Sequence, residues 1–277
     1  MLDWDAGSVT LRHPEDAGTL SVRATNTGLT LNLQEFQTFV SARNENVFGR
    51  FAGFEILSSE FQEEAATAQI KEVYLSDEGE VTAGSIYRRQ DQAVFVIDFW
   101  SPTPAFDGYW DQLFPMLNEI NFDSESAEAL PVYAWVYEFV DPQDAFRLEV
   151  PTAWVAESYS ADFTEIHTFQ SPSTHASIDI IRYDEARAMS NQEAALIVQA
   201  LLDLHYAEDL RIIADEIQPD GSERLTWISP AEGRSGQTYF QIVGTPLLIM
   251  TVQSMDEHAD IYSDVLQHSA QSFSLQP

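Results

Sequence analysis

Apolar positions along the chain fall into two kinds of pattern, and the order of those patterns repeats. Phe36, Phe39 and Val40 stand at helical spacing within 33–46, and Ile197, Val198 and Leu201 do so within 191–206. The four residues ahead of each run match: Asn32-Leu33-Gln34-Glu35 and Ser190-Asn191-Gln192-Glu193. Asn32 and Ser190 are good N-caps with Glu three positions on, the spacing of a capping box. Alternating stretches predict strands at 7–13, 18–24, 53–61, 66–75, 80–89 and 92–100, followed by a closing helix over 105–120. Gly108 and Pro115 weaken that last helix. The second half predicts strands at 146–150, 163–171, 176–183, 210–217, 223–229, 234–244 and 246–254, then a helix over 257–271.

The two series align. Thr10-Leu11-Arg12-His13-Pro14 matches Thr168-Phe169-Gln170-Ser171-Pro172, and Leu20 and Val22 match Ile178 and Ile180. Phe54-Glu55-Ile56-Leu57 pairs with Leu210-Arg211-Ile212-Ile213, Glu60-Phe61 with Glu216-Ile217, and Phe95-Val96-Ile97 with Leu247-Leu248-Ile249. A repeat of this kind is sought first because it decides the architecture. Asp77-Glu78-Gly79 and Asp220-Gly221 supply turn chemistry between successive strands, so each half carries an antiparallel meander that its helices must cover. The expected fold class is α+β: two tandem αβα sandwiches, each a central antiparallel sheet flanked by helices. The expected domains are 1–122 and 146–277, joined by a linker at 123–145. That linker opens with the polar run Asp123–Glu128, and Asp141-Pro142 marks the turn into the second copy, with the aromatic stretch 132–137 forming a strand or packing between domains.

Composition sharpens the functional side. Thirteen Lys and Arg stand against 45 Asp and Glu, a formal net charge of −32, and Lys71 is the sole lysine. Such a surface repels phosphate backbones, which argues against nucleic acid as partner. Either salt adaptation or an acidic face for a basic partner or cations accounts for it. The chain has no cysteine, which removes disulfides, thiol catalysis and Cys-ligated metal. No apolar run reaches the ~18–20 residues of a spanning helix, and Met1–Asp5 lacks the features of a signal peptide.

Phe146-Arg147-Leu148-Glu149-Val150-Pro151-Thr152-Ala153-Trp154, a strand ending in Pro-x-x-Trp, resembles the opening of the PsbP-like superfamily. Phe169, Ser171-Pro172 and the closing Ser272-Phe273 continue the resemblance across the second half, and the repeat extends it to the first. The first half departs from the pattern: its upstream Pro-x-x-Trp strand is missing. Trp4 stands in for that tryptophan only across a gap, or 132–140 supplies the strand. The resemblance implies an αβα sandwich and non-enzymatic binding proteins, among them an extrinsic photosystem II subunit, a nuclear GTPase binder and bacterial secreted proteins. An extracytoplasmic place follows from the resemblance; a cytoplasmic one follows from the bare sequence.

Candidate chemistry is sparse. No two of the six histidines have zinc-site spacing, and His205 is expected at a core edge. Asp256 and Asp260, one helical turn apart, are the candidate divalent-cation ligands; helix-dipole stabilisation is the competing role. Asp203, His205, Glu208 and Asp209 invite the same two readings. Gly233-Arg234-Ser235-Gly236 reads as the start of a strand rather than a nucleophile elbow. The aromatics Trp100, Tyr109, Trp110, Tyr133 and Trp135 are candidate partner-binding residues, since aromatics concentrate at interfaces; they also build cores and domain contacts. No cofactor is expected. The function expected is non-catalytic binding or scaffolding through a protein partner. A small-molecule or divalent-cation binder is the alternative, and a hydrolase with a dispersed site the third.

Overall fold

The computed structural model describes the chain except Met1, Ala6, 14–17, Ala65, 207–208 and 276–277, together with the side chains of 2–5 and Asn118. It divides into two compact units. Unit 1 is 1–137 with 151–153, and unit 2 is 138–150 with 154–277.

Unit 1 begins with β1 (Leu2–Asp5), β2 (Ser8–Arg12) and β3 (Thr19–Asn26), then α1 (Leu33–Phe48). A meander follows: β4 (Glu55–Gln62), β5 (Thr67–Ser76), β6 (Gly79–Gln90) and β7 (Ala93–Pro102), then α2 (Thr103–Asn118) and the short α3 (Ser124–Glu128). The seven strands form one antiparallel sheet in the order β1-β2-β3-β7-β6-β5-β4. Next come β8 (Val136–Val140) and β9 (Phe146–Pro151). Unit 2 continues with β10 (Val155–Ala161), β11 (Thr164–Gln170), β12 (Ala176–Tyr183) and α4 (Asn191–His205). Its meander is β13 (Arg211–Ile217), β14 (Glu223–Ser229), β15 (Arg234–Ile242) and β16 (Leu247–Met255), followed by a 3₁₀ turn at Asp256–His258, α5 (Ala259–Ser272) and β17 (Ser274–Leu275). Its large sheet runs β10-β11-β12-β16-β15-β14-β13, and a three-stranded sheet runs β17-β9-β8. The chain is therefore an α+β protein built on antiparallel sheets.

Both capping boxes form. Asn32 Oδ1 accepts from Glu35 N at 3.0 Å and Ser190 Oγ from Glu193 N at 3.2 Å, while each Glu carboxylate accepts the cap's own N–H. Pro115 sits inside α2, where the aromatic face of that helix holds it against the sheet. The ladders correct one sequence match. Val22 opposes Ile97, and the equivalent Ile180 opposes Met250, so Phe95–Ile97 corresponds to Leu248–Met250 rather than Leu247–Ile249. A slip of one residue turns every side chain to the other face. Two further differences concern polar edge strands. β1 and β10 were not expected: β1 is only four residues long, and β10 shows no buried alternation, so neither leaves an apolar period to read. Trp4 opposes Val9 in β1, the place that Ser158 holds opposite His167 in β10; its side chain lies outside the described residues.

The register repeats in detail. In each sheet the edge strand of the meander carries a bulge at the same place, between Ile56 and Ser58 in β4 and between Ile212 and Ala214 in β13. What fills the layers differs. Under α4 the packing is apolar: Ala194, Val198 and Leu202 meet Ile166, Ile181, Leu225, Trp227, Phe240 and Ile249. Under α1 a polar network replaces much of this. Buried Arg43 forms two hydrogen bonds with Asp98, at 2.8 and 2.5 Å, and Asn44 Nδ2 donates to Glu72 at 2.7 Å. Ser85 Oγ donates to Asp98 at 2.7 Å, and Tyr87 OH to Asn44 Oδ1 at 2.5 Å.

Candidate binding groove

The outer helix of each unit decides whether its sheet face is closed or open. In unit 1, α2 packs on both β6 and β7. Phe106, Trp110 and Phe114 repeat every four residues and so form one stripe along the helix. Phe106 and Trp110 stack at 5.4 Å between ring centroids, and Trp110 lies against Gly84, where a Cβ would come within 2.6 Å of the indole. Glycine is required there by that close approach.

In unit 2, the contacts of α5 with the large sheet fall chiefly on β16. The strand ends Pro102 and Met255 are equivalent, opposing Val81 and Arg234. Counting on from them, Phe106, Trp110 and Phe114 correspond to Ala259, Ser263 and Gln267. Small and polar residues thus replace the aromatic stripe, while Tyr262, Val265 and Leu266 on the neighbouring stripe are buried. The sheet face over β14 and β15 stays open. Two adjoining clefts of about 650 and 630 Å³ occupy it, sharing Gln218, Tyr239 and Ala270. Amide and hydroxyl side chains dominate one end, with Gln237, Gln253, Ser263 and Gln271; Leu248, Met250 and Phe273 line the other. Volume and mixed lining are those of a ligand-binding cleft.

The residues singled out from sequence lie elsewhere. Trp100 is half-buried against the Phe48, Tyr74 and Ala83 cluster, on the sheet face under α1. Trp110 and Tyr109 are on α2, on the opposite face, and Tyr109 lines an apolar cleft of about 390 Å³ with His13, Leu20 and Phe99. Tyr133 is buried, with its backbone N–H on Asn26 O at 2.9 Å. Trp135 Nε1 donates to Ala24 O at 2.6 Å, with the Arg23 guanidinium 5.0 Å over its ring. Tyr109 and Trp110 come together, both against Phe99. Asp256 and Asp260 are exposed, at the 3₁₀ turn and the first turn of α5. His205, expected at a core edge, is exposed on the last turn of α4, and Tyr206 takes the inner place, donating to Asp179 at 2.8 Å. Glu208 lies outside the described residues. Asp209 accepts from Ser229 Oγ at 2.7 Å and Ala231 N at 2.8 Å, and the Ser229 bond foremost holds its carboxyl below the usual range.

Sequence reading missed a second cluster, at the β8–β9 turn and β11. Among the described residues it is the one group of three His or acidic side chains placed to share a cation: Asp141, Glu165 and His167. Glu165 and His167 are two apart on β11 and so share a face; a Glu-x-His step on a strand was the available signal. His167 Nδ1 lies 2.7 Å from Ser158 Oγ, and its Nε2 lies 3.3 Å from Asp141 Oδ1. These are the residue types of a hydrolase triad. However, β10 pairs residue by residue with β11 through Ser158, so its backbone N–H groups lie in the sheet plane while the hydroxyl stands out of it. They do not converge on an oxyanion as that chemistry needs.

Fold and cleft together define a two-unit α+β protein with one closed and one open helix–sheet face. No protein-family model matches the chain, and no curated protein matches it. Solved structures similar to it include cyanobacterial PsbP from Synechocystis sp. PCC 6803, at 12% identity over 52% of this chain and 94% of that one, TM-score 0.42. A Pseudomonas aeruginosa protein of unknown function is similar at 11% identity over 43% and 85%, TM-score 0.35. A third is an immunity protein of a type VI secretion system from Pseudomonas aeruginosa, complexed with a peptide, at 9% identity over 100% and 98%, TM-score 0.26. Each score is below 0.5, so the functional reading rests on the chain's own residues. No helix among the described residues is long and apolar enough to cross a membrane.

Proposed function

We propose that the chain is a non-catalytic binding module that engages another protein through the cleft between α5 and β14–β15. The observation that carries this reading is the replacement of Phe106, Trp110 and Phe114 by Ala259, Ser263 and Gln267, which opens one face of unit 2. An open face is costly unless something of use fills it. Amides and hydroxyls such as Gln237 and Ser263, beside Leu248 and Met250, offer hydrogen bonds and apolar contact together, the combination an extended polypeptide segment requires. Within this reading the two units are tandem copies of one PsbP-like αβα sandwich, at 1–122 and 146–277. The shared strand order and the shared bulge support this, as does the Pro151-to-Trp154 strand end. An extracytoplasmic place goes with that resemblance.

Panning of a random peptide library on the full chain tests the reading. Peptides are expected that lose affinity roughly tenfold or more on Ser263→Trp, which puts the indole of unit 1 into the cleft of unit 2. A library that yields no binders, or binders indifferent to Ser263→Trp in a folded variant, sinks it.

A further inference from the structure

We infer that unit 2 carries a divalent transition-metal site, for which zinc is the best-matched ion, formed by Asp141, Glu165 and His167. The inference is independent of the cleft. His167 Nε2 and Asp141 Oδ1 belong to residues that are each 2% exposed, and neither atom has a hydrogen-bond partner. They face each other at 3.3 Å, with Glu165 Oε1 3.7 Å from the same nitrogen, and the three ligand atoms lie within 4.8 Å of one another. Ligand atoms bound tetrahedrally at about 2.0–2.1 Å from zinc lie about 3.3 Å apart. The three atoms therefore need little movement to close on one ion.

Every other polar atom of the cluster is already committed elsewhere, which fixes what the free atoms can do. Asp141 Oδ2 accepts from the backbone N–H groups of Gln143 and Ala145, at 3.2 and 3.0 Å. Gln143 Nε2 donates to Glu165 Oε2 at 2.7 Å, and Arg182 lies 3.8 Å from the same oxygen. Ser158 Oγ occupies His167 Nδ1, and the Phe139 and Phe146 rings flank the imidazole. Outer partners that orient each ligand, and a nonpolar wall beside them, are the surroundings of a bound metal. When Nδ1 carries the proton toward Ser158, the Nε2 lone pair faces a carboxylate oxygen, two acceptors that one shared cation satisfies together. One imidazole with two carboxylates favours zinc over calcium or magnesium, which take oxygen ligands.

Zinc titration of the full chain against a chromophoric chelator, with elemental analysis, tests the site. One zinc per chain is expected, with cobalt giving the visible bands of a low-coordinate ion. Glu165→Gln, at a half-buried position that should leave the fold intact by circular dichroism, is expected to abolish tight binding; Asp141→Asn is the second ligand variant. Ser158→Ala should weaken binding by roughly 10–100-fold, as loss of an outer partner does. The rival is the tilted ring pair His175 and His258, with centroids 4.4 Å apart and Glu257 beside His258. His258→Gln is expected to change nothing. Failure to compete with the chelator overturns the assignment, as does zinc lost in His258→Gln but kept in Glu165→Gln.

Discussion

Glu72 is buried on β5, held by Asn44 Nδ2 and Ser85 Oγ, and it shares its layer with Asp98. Burial first, and the Asp98 charge second, push its carboxyl from 4.5 up to about 8. The folded chain then keeps a proton that the unfolded chain releases near 4.5. Below that pH both states are protonated and the contribution to stability is fully present. It is lost as pH rises toward about 8, by up to about 1.4 kcal/mol per pH unit, and levels off above. Glu72→Gln mimics the protonated form. Its urea-unfolding midpoint is expected to gain on that of the native chain across this window. Parallel curves for the two proteins would show that Glu72 holds no proton. The neighbouring Arg43–Asp98 pair behaves differently. Burial opposes the Arg43 charge, but Asp98 and Tyr87 outweigh it and keep the guanidinium firmly protonated. Breaking the pair by Asp98→Ala would strand that charge, so it should destabilise by about 3–5 kcal/mol, far more than an exposed ion pair.

At the scale of elements, the two capping boxes give α1 and α4 a common start. Asn32→Ala and Ser190→Ala should each cost about 1 kcal/mol, read as separate drops in denaturant midpoint. An unchanged midpoint would show that the sheet contacts alone fix the helix start. These helices and the meander strands were legible because caps, turns and periodicity are local signals. The edge strands β1 and β10 were not, since β1 has only four residues and little of β10 is buried. The open face was illegible for a different reason. It depends on comparing Ala259, Ser263 and Gln267 with their counterparts in α2, and that comparison needs the register of β7 and β16. The sequence match there was one residue out, which exchanged the two faces of the strand. Asp141 lies 26 positions before His167, with β9 and β10 between them, so only the Glu-x-His step of that cluster shows in the linear sequence. Asp256 and Asp260, by contrast, had helical spacing but sit exposed.

At the scale of the molecule, the net charge of −32 and the two bulged edges act on the same problem. β4 and β13 each close one rim of a sheet, with ladder partners on one side only. β13 also exposes Ile212, Ile213 and Ile217. A straight rim of that kind invites another chain to add to it; an inserted residue kinks and twists the rim away. Long-range repulsion among acidic chains adds a second barrier, which about 1 M salt removes by shortening the screening length to about 3 Å. Deleting Ile213 should therefore leave a solution clear at low salt and turbid at high salt. A variant that stays clear in both would show that the rim is guarded by other means. Shelf life in concentrated solution thus turns on single inserted residues at the rims, and the ionic surroundings decide how much that insertion matters.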